Sequence, residues 1–102
     1  MNGLGAKDRE LIVRCLNEAL DERYFPDWEF PVLMGFSRAQ LQRFVDSNPA
    51  LDDLDRGSRP WKFVCSVLNN LTGYPHGRRL HLESRVGASL SELELLHDRV
   101  SG

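Results

Sequence analysis

No run of apolar residues in this chain approaches the ~20 needed to cross a bilayer, and the opening MNGLGAKDRE has no hydrophobic signal core. A cytoplasmic location is the expectation that follows. Only two cysteines are present, Cys15 and Cys65, with no CxxC spacing and no histidine near them in sequence. They are expected to be reduced residues of the core rather than a disulfide. The three histidines, His76, His81 and His97, are scattered, with no HExxH and no Cys–His cluster. No metal and no other cofactor is therefore expected. Internal repeats, low-complexity tracts and linkers are also lacking, which leaves a single globular domain over 1–102 as the expected organisation.

What is present is an ordinary globular composition: hydrophobic residues at 41% and charged residues at 27% exclude a disordered chain. A chain of 102 residues is long enough to bury roughly 60–70% of its unfolded surface in one core. Net charge is −2, yet residues 1–55 carry −5 and residues 56–102 carry +3. The near-neutral total argues against general affinity for nucleic acid. Such an asymmetry arises by chance on small surfaces, and it also serves to steer an oppositely charged partner.

Helical periodicity dominates the chain. Leu11, Ile12, Cys15, Leu16, Ala19 and Leu20 recur as adjacent pairs every four positions, predicting an amphipathic helix from Ala6 to about Arg23. Ser37 with Gln40 forms a capping box that opens a second helix, which carries Leu41, Phe44 and Val45 on its apolar stripe and closes before Asn48-Pro49. In the stretch RPWKFVCSVLNNLTGYPHG, Trp61, Val64, Val67, Leu68 and Leu71 share one face of a third helix. Ser58 and Pro60 start it, and Gly73, free to turn left-handed, stops it before Tyr74-Pro75. Ser89 and Glu92 make another capping box ahead of Leu93, Leu96 and Val100, the stripe of a last helix. Between these, only a short helical or extended turn is expected around Leu80 and Leu82. The expected fold is mainly α, about four helices packed as one small domain with proline- and aromatic-containing loops. Leu16, Leu20, Phe44, Val64, Val67, Leu68, Leu71 and Leu96 are expected to share its core.

The segment YFPDWEFPVLMG, 24–35, contains Phe25-Pro26 and Phe30-Pro31, each biasing the preceding residue away from helical angles, so extended chain is predicted. Phe25 and Phe30 are expected to lid the core, while Trp28, between Asp27 and Glu29, is a candidate for partner contact. Asp52, Asp53 and Asp55 form a second acidic loop. A calcium loop does not fit them, because Gly57 falls one place early and Val64 stands where the bidentate glutamate belongs.

Catalysis finds little support. Both cysteines face apolar partners, where thiolate formation is disfavoured, Gly3-Leu4-Gly5 is a lone GxG without a preceding strand, and a carboxylate pair working with His76 is the only enzymatic arrangement left. Asn69 and Asn70, at a helix end beside Tyr74 and His76, suit a polar knot that bonds loop backbones.

At NNLTGYPHG, residues 69–77, with the preceding tryptophan-bearing helix and WEFPVLMGFSRAQL, the chain resembles small bacterial immunity or antitoxin-type proteins that neutralise a cognate secreted toxin. That resemblance implies stoichiometric binding rather than catalysis. Joined to the charge layout, it leads to the expectation of an inhibitor whose partner-binding residues are Asp27, Trp28, Glu29, Asp52, Asp53 and Asp55, and whose partner is a basic-surfaced toxin such as a nuclease. The alternatives are a nucleic-acid-associated regulator using Arg56, Arg59, Lys62, Arg78, Arg79 and Arg85, or a small enzyme.

Overall fold

The helix signals in the sequence place four of the six helices that form among the described residues, 4–51 and 54–101, of this computed structural model. In chain order these are α1 (Ala6–Ala19), α2 (Phe30–Met34), α3 (Arg38–Asp46), α4 (Arg59–Gly73), α5 (Arg79–Val86) and α6 (Leu90–Ser101), and no strand occurs among the described residues. The mainly α class is correct, with six helices in place of about four. Both capping boxes form: the Gln40 amide N–H donates to Ser37 Oγ while Ser37 N–H donates to Gln40 Oε1, and Glu92 and Ser89 exchange the same pair of bonds.

The central helix α4 lies against α6, α1 and α2, and α1 additionally packs on α5 and α3. Val64, Val67, Leu68 and Leu71 of α4 are fully buried with Ile12, Leu16, Leu93 and Leu96, so the face read from the sequence is the face that packs. Leu20 corrects the expected core, since it is only half-buried at its edge. Trp61 is half-buried too, because its indole N–H must reach the Val100 carbonyl, 3.0 Å away, where α6 has run out of its own donors. The radius of gyration, 12.5 Å, matches the ~13 Å expected for a well-packed chain of about 100 residues.

Three expectations are corrected. First, α1 ends at Ala19 rather than Arg23. The Arg38 guanidinium donates to the carbonyls of Leu20 at 2.7 Å and Phe25 at 2.6 Å, and so supports the turn that follows. Second, the stretch expected to be extended turns at Pro26 and coils into α2. Pro31 falls in the first turn of α2, where a missing N–H breaks no helical bond, so the proline begins a helix that it was expected to prevent. Third, Gly73 stays helical. The residues that turn left-handed after a helix are Gly35 after α2, at φ 84°, Asn48 just past α3, at φ 50°, and Gly87 after α5, at φ 76°.

Candidate functional site

The segment joining α1 to α2 is held from both sides, and Trp28 projects between the supports. Phe25 and Phe30 are completely buried, worth about 1.5–3 kcal/mol each, and they stack edge-to-face with ring centres 6.2 Å apart. From α3, Arg38 lies over the Phe30 ring, 4.5 Å from its centre, and its Nε donates to Asp27 Oδ1 at 3.0 Å. From the loop after α4, the Tyr74 hydroxyl donates to Glu29 Oε2 in a short hydrogen bond. That bond stabilises the protonated phenol and raises its pKa.

Pinned at its two neighbours, Trp28 is 76% exposed. The Phe30 amide donates to the Pro26 carbonyl and the Leu33 amide to that of Glu29, so the chain is already helical through this turn. Val32, four positions on, therefore falls on the same outward face, 81% exposed. Expected to lie in extended chain, Val32 instead widens the apolar surface offered by Trp28.

The underside of α2 is tied to α4. With five residues, α2 leaves its last carbonyls without intrahelical donors. Asn70 Nδ2 donates to Leu33 O at 3.1 Å and Ser66 Oγ donates to Met34 O at 2.8 Å. Ser66 and Asn70, one turn apart on α4, present these groups side by side. The expected polar knot thus divides, for Asn70 is buried and bonded while Asn69 is exposed.

The acidic loops do not share one patch among the described residues. Glu29 meets Tyr74, just past the C-terminal end of α4, whereas Asp55 precedes its N-terminal end and accepts the Ser58 amide on its backbone carbonyl. The 15 residues of α4 between them span about 22 Å at 1.5 Å per residue. Asp52 and Asp53 lie outside the described residues. Sequence reasoning missed Arg38 and Val32 and set Tyr74 beside Asn69 and Asn70 rather than on Glu29, because what each does is set by a partner distant in sequence or by a helix that the prolines concealed.

Nucleophilic chemistry finds no activated group at the cysteines. Burial, then the charge of Glu18, pushes the Cys15 thiol up to about 12, and burial pushes Cys65 up to about 11, so both stay protonated at neutral pH. His76 is occupied by backbone. The Arg78 amide can only donate, so Nδ1 accepts it at 2.9 Å, and Nε2 carries the proton toward the Leu71 carbonyl at 2.9 Å. Of the basic residues considered for nucleic acid, Arg56 bonds the Ser101 carbonyl, Arg59 lies over Phe63 and Arg85 reaches Glu18.

No helix among the described residues is long and apolar enough to cross a membrane. Comparison with protein-family models, curated proteins and solved structures finds no match to the chain.

Proposed function

We propose that this chain is an immunity-type protein that binds a cognate toxin stoichiometrically and blocks its active site, with Trp28 as the central anchor. The observation that carries the reading is a large aromatic side chain exposed on a turn whose neighbours on both sides are fixed from within. Folding places tryptophan outward only at a cost in unburied apolar surface. A turn braced by Arg38 and Tyr74 has little left to order on binding, which lowers the entropic cost of association. Tryptophan is over-represented among residues whose loss weakens interfaces.

The toxin suited to this face combines an apolar hollow for Trp28 and Val32 with basic groups around it. Asp27 holds Arg38 through one oxygen yet remains 72% exposed, so its charge still acts on an approaching cation. Glu29 is committed to Tyr74 and orients the turn. Asp55 lies beyond the other end of α4 and acts at longer range, steering encounter rather than bonding beside Trp28.

The test is to co-express the chain with the product of its neighbouring gene and score growth and complex formation. The wild-type chain is expected to restore growth and to form a complex of fixed stoichiometry. Trp28→Ala is expected to weaken that complex at least about 30-fold, the equivalent of ~2 kcal/mol, with an unchanged circular dichroism spectrum. Failure of the wild-type chain to protect, or wild-type affinity in Trp28→Ala, overturns the proposal. Salt-dependent binding of random DNA by the purified chain would favour the regulatory alternative instead.

A further inference from the structure

The C-terminal end of α1 meets α5 in a group of polar side chains that the binding reading does not use. Glu18, in the last turn of α1, is buried although ionisable. Asp21 follows in the next turn, its amide donating to the Glu18 carbonyl. His81, on α5, faces both. One ligand atom from each of the three lies within 4.8 Å of the other two.

His81 Nε2 is sealed from solvent and has no hydrogen-bond partner. At 3.9 Å from Glu18 Oε1, it is too far for a hydrogen bond. A buried polar atom in that condition costs about 1–3 kcal/mol and calls for an explanation. We propose that Glu18, Asp21 and His81 form a binding site for one divalent transition-metal cation of the zinc class.

The donor set fits that chemistry. One imidazole nitrogen and two carboxylates are borderline to hard ligands that zinc takes at about 2.0–2.2 Å, which sets ligand atoms roughly 3.4 Å apart around a tetrahedron. Side-chain rotation has to close the existing triangle by up to about 1.4 Å to reach that geometry. Outer support is in place. The buried Tyr24 hydroxyl donates to Glu18 Oε1 at 3.2 Å, fixing the carboxylate as such partners fix metal ligands. Three protein ligands leave a fourth position for water.

Two arginines compete with the cation. Arg23 forks onto Asp21 through Nε and Nη2, and Arg85 Nε meets Glu18 Oε2 at 3.3 Å. Their side chains are 53% and 62% exposed, so both heads have water to turn into when a metal takes their place. Sequence spacing gives no sign of such a site, because α1 and α5 are brought together only by folding.

The experiment is titration of the untagged full chain with zinc chloride by calorimetry. The wild-type protein is expected to take up one equivalent. His81→Ala is expected to weaken uptake at least about a hundredfold and Glu18→Gln at least about tenfold, while His97→Ala binds as the wild type does. Arg85→Gln, which removes a competitor, is expected to bind more tightly than the wild type. Because a core substitution could unfold the domain, the wild-type imidazole resonances are followed by NMR as zinc is added, and those of His81 are expected to shift. Absence of saturable uptake, unchanged uptake in a folded His81→Ala variant, or shifts confined to His76 or His97 would overturn the proposal.

Discussion

Replacing Asn70 by alanine tests why a five-residue helix stands where it does. Its Nδ2 donates to Leu33 O at 3.1 Å and to Ser66 O at 2.9 Å. The Ser66 carbonyl retains the helical bond of α4 after truncation, but the Leu33 carbonyl at the end of α2 loses its donor. The lost bond is worth about 1 kcal/mol, and leaving the part-buried Leu33 carbonyl unpaired adds about 1–2 kcal/mol, the lower part of the usual range, for a net loss of about 2–3 kcal/mol. Against a total stability of about 5–15 kcal/mol the variant should remain folded. In urea denaturation the midpoint should fall by about 1–2 M with an unchanged slope, and the melting temperature by about 8–15 °C. Asn69→Ala, one position away and exposed, should stay within about 0.5 kcal/mol of wild type. Asn70→Asp keeps the shape and reverses the chemistry, placing an acceptor against the Leu33 carbonyl, and should be at least as damaging as alanine. If Asn70→Ala matches Asn69→Ala, or if Asn70→Asp is as stable as wild type, the amide is not what holds α2 to α4.

Arg38→Ala strips donors from the Leu20 and Phe25 carbonyls and should cost about 2–3 kcal/mol, with amide exchange accelerating in 20–29. Arg38→Lys should recover only part, since a single ammonium cannot reach three acceptors and cover the Phe30 ring as the planar fork does. At alkaline pH, Cys15 titrates near 9 in the unfolded chain and at about 12 in the fold. The stability it contributes is therefore fully present below about pH 9 and lost as pH rises toward 12. Tyr24, whose phenol is raised first by burial and then by Glu18, adds to the loss in the same direction. Urea midpoints should fall between about pH 9 and pH 11 in the wild type and fall less steeply in Cys15→Ala; equal slopes would count against the buried thiol.

Local patterns were sufficient to place α1, α3, α4 and α6, because each carries an apolar stripe, joined in α3, α4 and α6 by a start or stop signal, and these act within one or two turns of chain. Side chains placed at that spacing must point to one side whatever they pack against. The two short helices escaped the same reading for opposite reasons. In α2 the prolines were visible but ambiguous, as a proline blocks helix before it and favours helix after it. In α5 the sidedness was too slight to read, with only Leu82 and Val86 buried, Leu80 exposed and Arg78 giving no side-chain cap.

The acidic and aromatic character of 24–30 was set by sequence alone, and so was the candidacy of Trp28. Which charges remain available was not, for the pairing of Asp27 with Arg38 and of Glu29 with Tyr74 depends on how this segment packs against α3 and the loop after α4. The separation of Asp55 from Trp28 follows from where α2 lands along α4. Glu18 and His81, far apart in the chain, illustrate the limit most clearly. A glutamate on a helix face reads as solvated, and only the packing of α1 on α5 buries it beside an imidazole nitrogen that has nothing to bond. Short-range propensity and periodicity decide elements; charge partners and donor sets come from contacts between residues that the chain itself keeps apart.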